Sequence, residues 1–286
     1  MGKVAIITDS IANPPQEIIK RYGIQILPIN ILFNGKKYRD GIELSTAQAY
    51  RILEEQPEHF YSAPASVGEY LEIFKQTAKI ADGILCITLS SKLSTVHNNA
   101  RLAKIQAQEE GLTIPINILD SRTVVNAEGL VVTAAARAAD AGKSLDEVTT
   151  IAEKVKERVS LIGILDTVQY VYRTGRIPKF TSTVGSLLNI KPCFSISEGI
   201  VHLDGMIKNQ DSGIKHILKQ LSKKIKDKPA HISVAHSSAP EAGKSLRDAI
   251  QTKFNCTELW LTDLSPVVAY ATGTGVLIAA YYLDQE

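Results

Sequence analysis

The stretch Ile84-Leu85-Cys86-Ile87-Thr88-Leu89, running into Ser90-Ser91-Lys92-Leu93-Ser94-Thr95, decides the fold. An uncharged, largely apolar run of this length reads as a strand buried on both faces, as in a parallel sheet. The hydroxyl-rich turn after it opens a helical pattern that lasts to about Glu110. The same order recurs on either side. Val4–Thr8 runs into Asp9-Ser10 and a helix that Asn13-Pro14-Pro15 opens and that reaches Tyr22. Ile116–Leu119 runs into Asp120-Ser121 and an Ala-rich helix over Asn126–Ala141, which Gly142 stops. Strands alternating with helices imply βαβ units and a mainly parallel sheet. Ligands of such sheets sit beyond the carboxyl ends of the strands, so these three turns are where a site is expected. Each Asp-Ser pair also reads as an ordinary helix cap.

Between these units, Gln25–Phe33 reads as one strand, turned by Asn34-Gly35 into Lys37–Arg39. Ser45-Thr46-Ala47-Gln48, Ser66-Val67-Gly68-Glu69 and Ser144-Leu145-Asp146-Glu147 are capping boxes, for helices to Glu55, Ala81 and about Val159. The second half changes character. Leu161–Leu165 is a strand, a short helix reaches Tyr172, and another helix is expected near Phe180–Leu188. Cys193–Ser197 and Ile200–Leu203 flank Glu198-Gly199 as a hairpin. Helices over Asp211–Ile225 and Glu241–Phe254 alternate with strands over His231–His236 and Thr257–Thr262. Leu264–Leu283 carries no charge and reads as a buried loop plus a final helix opened by Thr272-Gly273-Thr274-Gly275. The expected class is α/β in two domains. Residues 1–160 form a mainly parallel, three-layer domain, and residues 161–286 one with a mixed or antiparallel sheet and helices.

The chain has 286 residues, a net charge of +2, 44% hydrophobic and 22% charged residues. That composition is globular, and so balanced a charge gives no global field to hold a polyanion, so nucleic acid is not an expected partner. Cys86, Cys193 and Cys256 lie far apart in apolar runs, without metal spacing, and are expected as buried thiols of a cytoplasmic protein. The first residues lack the apolar core and cleavage site of a signal peptide. Gly, Pro and hydroxyl residues weaken Leu264–Leu283 as a membrane span, and no basic cluster flanks it.

The phosphate-loop pattern is approached at Ser238–Ser245. Ser238 replaces its first glycine and Pro240 removes an N–H that would cradle phosphate. No two of the six histidines are four residues apart, and no nucleophile elbow appears. Two turns remain. Ser90–Thr95 gathers hydroxyls at a helix start, which suits a carboxylate or phosphate as well as a plain cap. Thr272–Gly275 lets the backbone approach either a ligand or another element closely.

Taken in order, the turns resemble the DegV family of bacterial fatty-acid-binding proteins. The resemblance spans essentially the whole chain. It rests on Thr8-Asp9-Ser10, on Ser62-Ala63-Pro64-Ala65-Ser66 as a variant of the family's Thr-Ser-Gln-Pro-Ser loop, and on Ile87–Ser94. Asp120-Ser121, Gly129, Gly175-Arg176-Ile177, Ile190-Lys191-Pro192 and Gly273-x-Gly275 complete it. It implies two α/β domains, a buried acyl chain, and a carboxylate held near their junction. It also implies a carrier without a cofactor or catalytic machinery of its own, which presents a long-chain fatty acid to a separate kinase subunit. A peripheral membrane contact for lipid exchange belongs to the same expectation. By position, Ser62 and Ser94 match head-group residues. Ser91 and Thr95 are secondary candidates, Arg176 matches a Gly-Arg-Ile arginine, and Thr272, Gly273 and Thr274 would offer backbone and hydroxyl donors. Two positions depart from the pattern. The family's head-group histidine falls on Ala271, with Tyr270 beside it, and an arginine implicated in kinase coupling falls on Lys208. The alternative is a protein of the same fold for another small anion.

Overall fold

The structure, a computed structural model, describes residues 2–167, 169–176 and 190–284. The helix expected near Phe180–Leu188 lies outside them. The first sheet has the order β2 (Gln25–Leu27), β1 (Val4–Asp9), β6 (Gly83–Thr88), β7 (Ile116–Asp120), all parallel. Every residue of β6 is buried, because helices cover both faces of the sheet. On one face α3 (Val67–Thr77) packs on α4 (Val96–Glu109), and on the other α5 (Val125–Asp140) packs on α6 (Leu145–Lys156). Strand alternation explains this placement. Thr88 Oγ1 meets His97 Nδ1 of α4 at 3.1 Å, while Gly83, five residues earlier, faces Leu145 of α6. All three capping boxes form with both of their hydrogen bonds, at α2 (Thr46–Glu55), α3 and α6.

The strand expected over Gln25–Phe33 is two strands. It breaks at Pro28, which has no N–H to continue a ladder. β2 stays in the parallel sheet. β3 (Asn30–Phe33) joins β4 (Lys36–Arg39) and β5 (Phe60–Ala63) in a small antiparallel sheet of order β4-β3-β5. β5 is not legible as a strand in the sequence, so Ser62 lies on a strand rather than in a loop.

The second sheet has the order β10 (Ile200–Ile207), β9 (Lys191–Ser197), β8 (Ser160–Ile164), β13 (Leu277–Leu283), β11 (Ala230–His236), β12 (Cys256–Asp263). Its pairs are antiparallel except β11 with β12. α8 (Gln210–Ile225) and α9 (Pro240–Lys253) cover one face, where Ile217, Leu221, Leu246 and Ile250 pack on Ile232, Val234 and Leu277. The final helix expected from the sequence is instead a short helix, α10 (Pro266–Thr272), followed by β13. Gly273 and Gly275, at φ of 85° and 80°, make the turn between them. β13 is a central strand, apolar on both faces, so its residues show no alternation to separate it from a buried helix. Another short helix, α7 (Gln169–Thr174), follows β8. No helix among the described residues is long and apolar enough to cross a membrane. Cys86 and Cys193 are buried, but Cys256 is only partly so.

α5 joins the two halves. It packs on β1 and also on β11 and β13, and is buried almost all round. That is why its sequence is mostly apolar on every face. A Cβ at Gly129 would stand 2.4 Å from the Ala12 carbonyl oxygen, so only glycine permits this approach. At one end Asn126 Nδ2 donates to Ser233 O at 2.9 Å, and at the other Arg137 forms a two-point ion pair with Glu258.

Candidate functional site

A cavity of about 140 Å³ lies between the domains. The first domain supplies Ser62, Pro64, Leu93 and Ser94, and the start of α5 supplies Val125. α10 supplies Val268, Ala271 and Thr272. The second sheet and the residue after β8 give Leu165, Phe194, Ile196, Val201 and Ile278, all apolar. Arg176, just past α7, is the single charged residue among the described lining. It is exposed, so it marks an opening to solvent. The hydroxyls thus come from β5, the turn before α4, and α10, and the second sheet forms an apolar wall.

Local structure explains the aim of each hydroxyl. Ser62 is paired with Ile31, which is fully buried, and paired residues project from one face. Ser62 therefore points inward, and its neighbour Tyr61 points out, at 54% exposure. Ser94 sits in a turn fixed at Ser90. Ser90 N–H donates to Thr123 O at 2.9 Å, its hydroxyl to Gly199 O at 2.8 Å, and its carbonyl accepts from Leu93 and Ser94. Thr272 Oγ1 donates back to Val268 O at 2.8 Å.

Beneath the cavity lie buried carboxyl groups, of which the sequence pointed only to Asp9, as part of a strand-end turn. Asp9 is fully buried; its Oδ1 accepts from the Ile11 N–H and its Oδ2 from the Leu89 N–H, both at 3.0 Å. Ile11 and Leu89 line the cavity. Glu128 of α5 lies against Asp9 and accepts from Thr8 Oγ1 at 3.4 Å. Burial raises the Asp9 pKa to about 6. Burial, with the Asp9 charge beside it, lifts the Glu128 carboxyl well above its ordinary range, which favours its protonated form. Asp40, also raised by burial, accepts from Ser10 Oγ at 2.6 Å and Ser265 Oγ at 2.5 Å. Ser265 caps α10, so Asp40 ties that cavity-lining helix to the first domain. The sequence signal for Glu128 was an acidic residue within the Ala- and Val-rich run of a helix that is buried almost all round.

Of the residues singled out from sequence, Ser62, Ser94, Arg176 and Thr272 come together on the cavity, with Ala271 beside Thr272. Ser91 and Thr95 are exposed and off it. Gly273 is packed against the Tyr170 ring, and Thr274 does not line the cavity. The turn over 272–275 closes α10 instead of opening a helix, so it presents no helix N-terminus to an anion. Tyr270 packs on Phe60 and Tyr61, at ring distances of 5.6 and 6.5 Å, and His97 sits behind Thr88; neither lines the cavity. Lys208 is exposed in the bend between β10 and α8 and does not line the cavity. Chemically, the described lining offers apolar burial, a few hydroxyl donors and one guanidinium.

The chain matches, over residues 3–284, the family described as "Uncharacterised protein, DegV family". It is 30% identical to a DegV domain-containing protein of Clostridium acetobutylicum over 280 residues, 97% of this chain and 98% of that protein. A DegV domain-containing protein of Caldanaerobacter subterraneus is 28% identical over 260 residues, 90% of each chain. Among solved structures, a DegV family protein from Thermus thermophilus described as binding fatty acid superposes at a TM-score of 0.89. It has 24% identity and covers 99% of this chain and 100% of its own. DegV of Bacillus subtilis, described as a fatty acid binding protein, superposes at 0.87 with 23% identity, over 99% of this chain and all of its own. By fold, motif order and sequence, this chain belongs to the DegV family.

Proposed function

We propose that this chain is a carrier that binds a long-chain fatty acid between its domains. In this reading the acyl chain lies against the apolar wall of the second sheet, and the carboxylate meets Ser62, Ser94 and Thr272, with Arg176 at the opening. The carrying observation is the division of the cavity lining into an apolar wall and a hydroxyl-bearing side. The fatty-acid binding described for relatives from Thermus thermophilus and Bacillus subtilis supports it. Magnitudes favour the acyl chain as the source of affinity. A sixteen-carbon chain buries about 14 methylenes, worth roughly 11 kcal/mol before ordering costs. The head group then sets register and orientation, which a few hydroxyls can do. The cavity of about 140 Å³ is close to one that holds a benzene-sized ligand. A long chain therefore requires lining side chains to move on binding. Lys208, exposed and not part of the lining, is suited to a partner surface, and we assign it to contact with a kinase subunit that phosphorylates the presented carboxylate.

The test is direct. Protein purified from cells is denatured, and the organic extract is weighed by mass spectrometry. A fatty acid in stoichiometric amount is expected. Its repeated absence, with no binding of added fatty acid, overturns the reading in favour of another small anion.

A further inference from the structure

The cavity face of the second sheet has a gap at its middle strand. Gly163 of β8 is paired with Phe194 of β9 on one side and Ile278 of β13 on the other. Paired residues project from the same face, so all three positions look toward the cavity, and Phe194 and Ile278 line it. Gly163 leaves the middle of this row without a side chain, and the Phe194 ring lies over it. A Cβ at 163 would stand 2.3 Å from Phe194 Cε1 and 2.4 Å from Cζ. The ring is thus laid across the sheet, 5% exposed, in space beside the cavity.

The strands around the ring are pinned. The tip of the β9–β10 hairpin is fastened to the first domain by Ser90 Oγ donating to Gly199 O at 2.8 Å, and by Arg122 facing Glu198 at 3.5 Å. Gly199 is itself required there, since its φ is 78° and a Cβ would meet Ser90 Oγ at 2.4 Å. With the hairpin held at its tip, room for a longer ligand comes from turning a side chain more readily than from moving the wall. Phe194 is the large ring on that wall, and it has a side-chain-free strip of backbone next to it.

We propose that Phe194, laid over Gly163, determines the acyl-chain length this protein accepts, by closing the apolar end of the cavity. This rests on the fatty-acid reading above. Shrinking the ring opens the strip over Gly163 to additional methylenes. Filling the strip at 163 pushes the ring into the cavity.

The experiment measures affinities of the delipidated wild type, Phe194→Leu and Gly163→Ala for a series of saturated fatty acids from decanoate to stearate. Leucine keeps an apolar side chain at 194, so this variant is expected to fold; circular dichroism and a thermal melt check it. Each further methylene buried strengthens binding roughly fourfold. Phe194→Leu should therefore shift the optimum to longer acids, raising the stearate-to-decanoate preference about tenfold or more. Gly163→Ala should shift the preference the other way. If folded variants bind with the wild-type length profile, the assignment of Phe194 fails while the carrier reading stands. If no acid of any length binds any of the proteins, both fail.

Discussion

The Asp9 carboxylate holds the Leu89 backbone N–H at 3.0 Å, across 80 residues, and so locks the end of β1 to the end of β6 where both meet the cavity. The same carboxylate holds Ile11. Its acidic neighbour is Glu128, which arrives from the helix that joins the domains. Two buried carboxyls, both with raised pKa values, therefore sit under the proposed ligand.

That arrangement makes stability depend on pH in a direction opposite to ordinary acid denaturation. Asp9 and Glu128 both have folded pKa values above those of the unfolded chain. Their stabilising contribution is complete below the ordinary carboxyl range and is lost as pH rises through about 6 and beyond. Glu128→Gln is neutral at every pH and can donate from Nε2 to Asp9. Measured by urea unfolding from pH 5 to 8, the variant should gain on the wild type with rising pH, by up to about 1.4 kcal/mol per pH unit. Carboxylates with lowered pKa values, such as Glu69 and Glu258, act in both proteins alike and cancel in the comparison. Parallel slopes would show that Glu128 does not hold a proton.

Gly129→Ala should reverse the usual sign of a glycine replacement. Alanine in a helix normally stabilises by about 1 kcal/mol. Here the new methyl meets a backbone oxygen that cannot move without displacing the turn after β1. A loss of about 1–3 kcal/mol or more is expected, read as a lower melting temperature. A neutral or raised melting temperature would mean that α5 is free to shift between the sheets.

Much of this fold is legible in the sequence, for identifiable reasons. The parallel strands are apolar on both faces, and the helices between them open with capping boxes at Ser45, Ser66 and Ser144, each of which forms. Asn34-Gly35 gives its hairpin. What the sequence conceals depends on distant partners. β13 becomes a strand because β8 and β11 flank it, and its apolar run alone does not distinguish that from a helix. β5 is four residues long and gains its identity only from pairing with β3. The hydroxyls of Ser62, Ser94 and Thr272 are local signals that meet only through the fold. The role of Gly163 is invisible without Phe194 above it.

Ser94→Ala should weaken fatty-acid binding modestly and leave the fold intact. A hydrogen bond to a charged group contributes on the order of 1.5–3 kcal/mol, which is small beside the burial of a long acyl chain. The Ser94 hydroxyl makes only a long contact, 3.4 Å, with the Val96 N–H, so little structure depends on it. Titration with a fluorescent fatty acid should show roughly ten- to hundredfold weaker binding. Unchanged affinity in a folded variant would remove Ser94 from the head-group site.

Lys208→Ala should leave fatty-acid affinity unchanged and lower phosphorylation by a kinase subunit. The residue is exposed in the bend ahead of the α8 cap and does not line the cavity. Lysine supplies charge to a phosphate but not the two-point grip of a guanidinium, so Lys208→Arg is expected to raise coupling if anything. The assay is a coupled kinase reaction beside a lipid titration. Equal loss of lipid affinity in Lys208→Ala would place this residue in the binding path rather than on a partner surface.

Ala271 offers the sharpest test of how the carboxylate is held. It lines the cavity next to Thr272, and its methyl can neither donate a hydrogen bond nor carry charge. His97, the histidine of the neighbouring turn, is behind Thr88, and burial pushes its pKa down, so it supplies no imidazolium to the cavity near neutral pH. With hydroxyls and Arg176 as the polar partners, the head-group contribution should not change between pH 6 and 8. The buried pair Asp9 and Glu128 can also titrate there, but it reaches the cavity through the backbone of Ile11 and Leu89 and is common to any variant at 271. Ala271→His adds a group that titrates in this range. Its imidazolium would face the carboxylate at low pH and its neutral form at high pH. Binding by the variant should therefore strengthen, relative to wild type, as pH falls from 8 to 6. Affinity is measured for both proteins across that range, and the quantity that decides is the ratio of the two. A constant ratio in a folded, lipid-binding variant would mean that the carboxylate lies away from Ala271, and would move the head group to another part of the cavity.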